Sequence, residues 1–118
     1  MQRVLIVDDH APIRRALTDY FERGGFSVAS TGDLLEAIRH IQSCDFVAAI
    51  IDLRLSGPRG REGFELLELS SRICPGTRTV MLTSCAGPRE EEEARRLGAA
   101  AFLTKPLPLA DVMRAAIG

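Results

Sequence analysis

The sequence predicts an α/β fold, a doubly wound parallel sheet with helices on both faces, and three observations predict it. Short apolar runs recur along the chain, the runs are continuous rather than alternating, and segments of helical period lie between them. Continuous runs suit strands covered on both faces, and strand-helix alternation with short connections implies right-handed crossovers. With 118 residues there is room for one such domain around one core, spanning residues 1–118.

The elements follow in order. Val4-Leu5-Ile6-Val7 is the first strand. Ile13, Ala16, Leu17, Tyr20 and Phe21 then fall at helical spacing and make one apolar stripe, with Pro12 suited to the first turn and Gly24-Gly25 to the end. Val28-Ala29 is a weaker second strand. Asp33 and Glu36 have the spacing of a capping box, opening a second helix striped by Leu34, Ala37, Ile38 and Ile41. The third strand is Ala48-Ala49-Ile50-Ile51, and Phe64 to Ile73 reads as a helix begun at Gly63. Val80-Met81-Leu82 follows, then a helix from Arg89 to Leu97 closed by Gly98. Its charge run, Glu90 to Glu93, reads as a solvated first turn favoured by the helix dipole. Ala100-Ala101-Phe102-Leu103 is the fifth strand, and Leu109, Val112, Met113 and Ala116 stripe the fifth helix.

Composition narrows the function. The formal net charge is -1, with one Tyr and no Trp, so the chain has neither a basic footprint for nucleic acid nor an aromatic platform for stacking bases. The apolar runs are strand-sized, and an acidic pair stands where a signal peptide would need its apolar stretch, which predicts a cytoplasmic protein without membrane attachment. Cys44, Cys74 and Cys85 are odd in number and widely spaced, so reduced thiols are expected, with Cys44 and Cys74 as small core or loop residues. Neither G-x-x-x-x-G-K nor G-x-G-x-x-G occurs, which excludes the common nucleotide-binding loops. His10 and His40 have no second ligand in view and are assigned no role.

In a doubly wound sheet, ligands bind at the carboxyl ends of the strands. The residues just past the runs are Asp8 and Asp9, Asp52, Thr83, and Lys105-Pro106. Singly, each has a plainer reading: a turn or cap for an Asp, a strand-end hydroxyl for Thr83, a surface lysine for Lys105, plain core for Phe102. Gathered on one edge, they make a site. Three carboxylates there resist joint ionisation unless a cation sits among them, and Mg²⁺ accepts such hard oxygen ligands. A carboxylate nucleophile, a metal, a lysine and a hydroxyl form a complete set for accepting a phosphoryl group.

The segments V-L-I-V-D-D-H, I-I-D-L-R-L, M-L-T-S and F-L-T-K-P together resemble the receiver domains of bacterial two-component response regulators, and the likeness spans essentially the whole chain. The resemblance implies a flavodoxin-like (βα)5 sandwich with strand order 2-1-3-4-5. It implies Asp52 as phospho-acceptor, and Asp8, Asp9, Asp52 and the Arg54 main-chain carbonyl as Mg²⁺ ligands. It implies Lys105 on the phosphoryl group, Thr83 and Phe102 as the switch pair, and a cis Lys105-Pro106 peptide. The face made by the fourth helix, fifth strand and fifth helix would change. The partners implied are a sensor histidine kinase, a downstream output domain or protein, and a phosphorylation-linked homodimer. The expected chemistry is self-phosphorylation and self-dephosphorylation only, in the receiver portion of a longer regulator.

The chain departs from the family pattern in three places. The stretch Leu53 to Glu62 is longer than usual, Ser56 stands where Pro is common, and Arg54 and Cys85 occupy variable positions flanking the phosphoryl group. Arg54 and Cys85 together predict slow hydrolysis, the arginine by covering the path of water and the thiol by offering nothing to hold it. The competing readings are an arginine-finger role for Arg54 and a loop that carries it away from the site. Two rival functions are a pseudo-receiver that binds partners without phosphorylation and a haloacid dehalogenase-type phosphohydrolase. The second usually carries an acid two residues after its nucleophile, where this chain has Arg54.

Overall fold

The computed structural model describes residues 1–55, 60–84 and 87–118. Strand and helix alternate throughout: β1 (Arg3–Val7), α1 (Ala11–Arg23), β2 (Ser27–Thr31), α2 (Leu34–Ser43), β3 (Ala48–Asp52), α3 (Glu62–Ile73), β4 (Arg78–Thr83), α4 (Pro88–Arg96), β5 (Ala101–Thr104) and α5 (Leu109–Ile117). All neighbouring strands pair in parallel, and the order is β2-β1-β3-β4-β5. The winding reverses between β1 and β3, so the crevice for a ligand opens where Asp8, Asp9 and Asp52 leave those two strands. Among the described residues, no helix is long and apolar enough to cross a membrane.

The unbroken apolar runs are explained by two cores. Leu5, Val7, Ala49, Ile51 and Met81 face α2, α3 and α4, while Val4, Ile6, Ala48, Ile50, Val80 and Leu82 face α1 and α5. Each of these central-strand residues therefore buries its side chain on one side or the other, at about 1.5–3 kcal/mol for a large aliphatic one. All of β3 is buried, which holds its Asp52 end firmly in the sheet.

Local chemistry mostly agrees with the sequence. Pro12 lies in the first turn of α1, and Gly24 ends it with its N–H donated to Phe21 O at 3.0 Å. The capping box of α2 is only half formed. Asp33 accepts the Glu36 N–H at 2.9 Å, but the Glu36 carboxylate accepts the Thr31 hydroxyl at 2.7 Å instead of reaching back. The third helix starts one residue earlier than Gly63, at Glu62. A Cβ on Gly63 would stand 2.5 Å from the Leu53 Cα, so helix and strand meet at a distance only glycine allows.

The cysteines differ from expectation. Cys44 and Cys74, 30 residues apart, form a disulfide with a Cα–Cα distance of 5.4 Å. Both lie at helix ends, the C-caps of α2 and α3, and those helices are neighbours on one face of the sheet. Sequence spacing carried no sign of that adjacency. Cys44 is exposed and Cys74 is buried. Cys85 and Ser56 lie outside the described residues, as does the middle of the Leu53 to Glu62 stretch.

Candidate functional site

The strand ends deliver the polar residues to one edge. Strands β1, β3 and β5 are each prolonged by one further backbone bond: Asp8 N–H to Thr31 O at 3.0 Å, Leu53 N–H to Leu82 O at 3.1 Å, and Lys105 N–H to Thr83 O at 2.8 Å. These bonds hold Asp8, Asp52 and Lys105 in register with the sheet. Asp8 and Thr83 are 1% exposed and Asp52 is 7% exposed, whereas Asp9 is open to solvent.

Carboxylate oxygens of Asp8, Asp9 and Asp52 all lie within 4.8 Å of one another. Lys105 Nζ is 2.8 Å from Asp8 Oδ2 and 3.6 Å from Asp52 Oδ2. Asp8 Oδ1 accepts the His10 N–H at 2.9 Å, and Asp52 Oδ1 accepts the Arg54 N–H at 3.2 Å. Three carboxylates against one ammonium leave two negative charges, and the donor set is all oxygen. Both features fit a hard divalent cation.

Burial dominates the titration of Asp52. Its carboxyl is pushed from an ordinary 3.8 up to about 6 by desolvation, with Lys105 opposing and Asp8 and Asp9 adding to the rise. The group is thus mostly ionised at neutral pH, yet poorly solvated.

The longer β3–α3 connection does not carry Arg54 away, because its N–H is anchored on Asp52. Its guanidinium is turned toward α4, donating Nη1 to Gly60 O at 3.1 Å and Nη2 to Glu90 Oε2. Phe102 lies on β5, paired with Met81 in register, and is partly buried against the core under α2, α3 and α4. The Lys105–Pro106 peptide is cis.

Sequence reasoning missed four contributors. Arg14 Nη1 donates to Asp8 O at 2.6 Å from the first turns of α1. Gly32 lies so close that a Cβ would be 3.1 Å from Asp9 Cα and 3.2 Å from Asp8 O, so a side chain there would press on the acidic pair. Glu90 and Glu93 are not simply a solvated turn, since they meet Arg54 and Arg61. Their spacing of three residues placed both on one helix face, the one signal that could have been read.

Comparisons with known proteins identify the family and the fold. The family model described as response regulator receiver domain matches residues 4–117. A response regulator receiver protein of Anaeromyxobacter sp. (strain Fw109-5) is 31% identical over 113 residues, which cover 96% of this chain and 46% of that protein. A protein-glutamate methylesterase/protein-glutamine glutaminase of Archaeoglobus fulgidus is 36% identical over 107 residues, 88% of this chain but 30% of its own length. The chain thus spans less than half of either relative. A response regulator of Burkholderia pseudomallei, crystallised with a phosphorylated aspartic acid, a calcium ion and citrate, superposes with a TM-score of 0.88 at 25% identity, covering 98% of this chain and 66% of that one.

Proposed function

Because the chain belongs to the response regulator receiver domain family, we propose that it accepts a phosphoryl group on Asp52 from a sensor histidine kinase and relays that event to an output unit. The observation that carries this is the convergence of Asp8, Asp9 and Asp52 within 4.8 Å beside Lys105. Asp8, Asp9, Asp52 and the Arg54 main-chain carbonyl would hold Mg²⁺, which when bound supplies charge neutralisation for the transferred group.

The remaining chemistry belongs to the chain. An oxygen of the Asp52 carboxylate attacks phosphorus, the bond from phosphorus to the donor's histidine nitrogen breaks, and the imidazole leaves with the electron pair. Arg54 N–H already donates to Asp52 Oδ1 and keeps the carboxylate turned outward. Lys105 turns from Asp8 toward the phosphoryl oxygens, and the Thr83 hydroxyl donates to another. With Thr83 drawn in, Phe102 repacks and the face of α4, β5 and α5 changes. Hydrolysis of the acyl phosphate resets the switch, so the chain's own chemistry is limited to gaining and losing this group. Since the matched relatives are longer, we read residues 1–118 as the receiver portion of a cytoplasmic regulator.

Intact mass spectrometry after incubation with acetyl phosphate and Mg²⁺ tests the reading. One phosphoryl mass is expected, lost in Asp52→Asn and after chelation of the metal. Equal labelling of the mutant, or labelling indifferent to chelation, would overturn it.

A further inference from the structure

The helix α4 is poorly anchored by apolar packing. From Pro88 to Arg96 only Ala94 is buried, and four consecutive glutamates occupy its first turns. Charge supplies the missing attachment. Arg54 Nη2 donates to Glu90 Oε2, and Arg61 Nη2 lies 2.6 Å from Glu93 Oε2. Both arginines come from the segment joining β3 to α3, and Glu90 and Glu93 sit three residues apart on one face of α4. The first pair is the drier, with side chains 16% and 26% exposed. One segment, rooted at the Asp52 carboxylate through the Arg54 N–H, therefore clamps α4 at two points.

Resting on the acceptor reading above, we propose that Glu90 and Glu93 are the catch of an electrostatic latch on α4, and that a phosphoryl group on Asp52 opens it by taking the Arg54 guanidinium from Glu90. Arg54 stands two residues past the acceptor, and a phosphoryl group presents up to two negative charges and several acceptor oxygens where a carboxylate presents one charge. Planar guanidinium matches such a group with two parallel hydrogen bonds. Release costs Glu90 little, because its other oxygen accepts the Gly87 N–H at 2.9 Å and the carboxylate stays in the first turn of α4, where the helix dipole favours it. The Arg61–Glu93 pair, more exposed, is too weak to hold the helix alone. Once on the phosphoryl oxygens, Arg54 also covers the approach of water.

The test compares wild type with Glu90→Gln, by amide exchange over residues 87–97 and by the lifetime of the phosphoryl label. Without phosphodonor, Glu90→Gln should exchange faster over this segment by about fivefold, the equivalent of one modest interaction, while the β1 amides keep wild-type protection. Wild type carrying the phosphoryl mass should reach the same fast exchange, and the phosphorylated mutant should gain nothing further. In the mutant Arg54 has no competing carboxylate at position 90, so label should also persist a few-fold longer after the donor is removed, an effect that a merely structural role for Glu90 would not produce. Replacing Glu93 by Arg should loosen α4 by a smaller factor than Glu90→Gln does, and adding Arg61→Glu should restore its protection. Exchange equal to wild type in unphosphorylated Glu90→Gln, or an unchanged or shortened label lifetime, overturns the latch. Label on wild type with unaltered α4 exchange does so too, and leaves the acceptor reading standing. Absence of label on wild type instead overturns the acceptor reading and the switch that depends on it, and the comparison made without phosphodonor tells the two failures apart.

Discussion

The ammonium of Lys105 is bonded to Asp8, 97 residues away in sequence, at 2.8 Å, while its distance to Asp52 is 3.6 Å. In this structure the lysine therefore pairs chiefly with Asp8, one of the carboxylates proposed above to hold the metal, rather than with the proposed acceptor. Replacing it by alanine strands the buried Asp8 Oδ2 without its donor and removes the Lys105 charge that lowers the Asp52 pKa.

Lys105→Ala should accordingly destabilise the metal-free domain by about 1–3 kcal/mol in urea unfolding at neutral pH. Divalent cation should recover part of the loss, by binding carboxylates the lysine no longer screens. A mutant as stable as wild type in the presence of chelator would show that the contact contributes nothing.

The raised Asp52 pKa fixes the sign of a pH effect. A carboxyl that titrates near 6 in the fold and at 3.8 when unfolded favours folding most fully below 3.8, and that contribution is lost as pH rises through about 6. Above that pH the ionised, desolvated group opposes folding by on the order of 3 kcal/mol. With divalent cations chelated, Asp52→Asn should therefore be more stable than wild type at pH 7.5, and the difference should shrink toward pH 4. Urea unfolding at the two pH values measures it; a difference independent of pH would exclude Asp52 as the source.

Thr83, buried at the end of β4, is the residue through which the phosphoryl group would reach Phe102. Thr83→Ala should take up label nearly as wild type does, with phosphorylation-linked dimerisation weakened about tenfold. Sedimentation of labelled and unlabelled protein reads both quantities, and equal dimerisation in the mutant would remove Thr83 from the relay.

The Cys44–Cys74 bond closes a loop of 30 residues. Alkylation should count one thiol per chain before reduction and three after, since the sequence holds three cysteines. Reduction should lower stability by on the order of 3 kcal/mol by loop-closure entropy, with little effect on labelling of Asp52, because the bond lies at the C-terminal ends of α2 and α3 and the acceptor at the C-terminal end of β3. Three thiols before reduction would show the bond absent in solution.

Local period and local chemistry were enough to read the elements and the edge they share. Unbroken apolar runs specified strands buried on both faces, i, i+3 and i+4 stripes specified helices, and the polar residues just past each run specified which side chains would share the edge. Asp8, Asp9, Asp52, Thr83 and Lys105 were legible in this way because a parallel sheet sends every strand end to the same side. Which residues meet across the chain depends on how the elements pack. Nothing local pairs Arg54 with Glu90, brings Cys44 to Cys74, sets Arg14 on the Asp8 carbonyl, or presses Gly32 against the acidic turn. Those contacts arise where separate helices and loops are packed onto one sheet, and the free energy that aligns them comes from burying the two cores beneath, which sequence period describes only one element at a time.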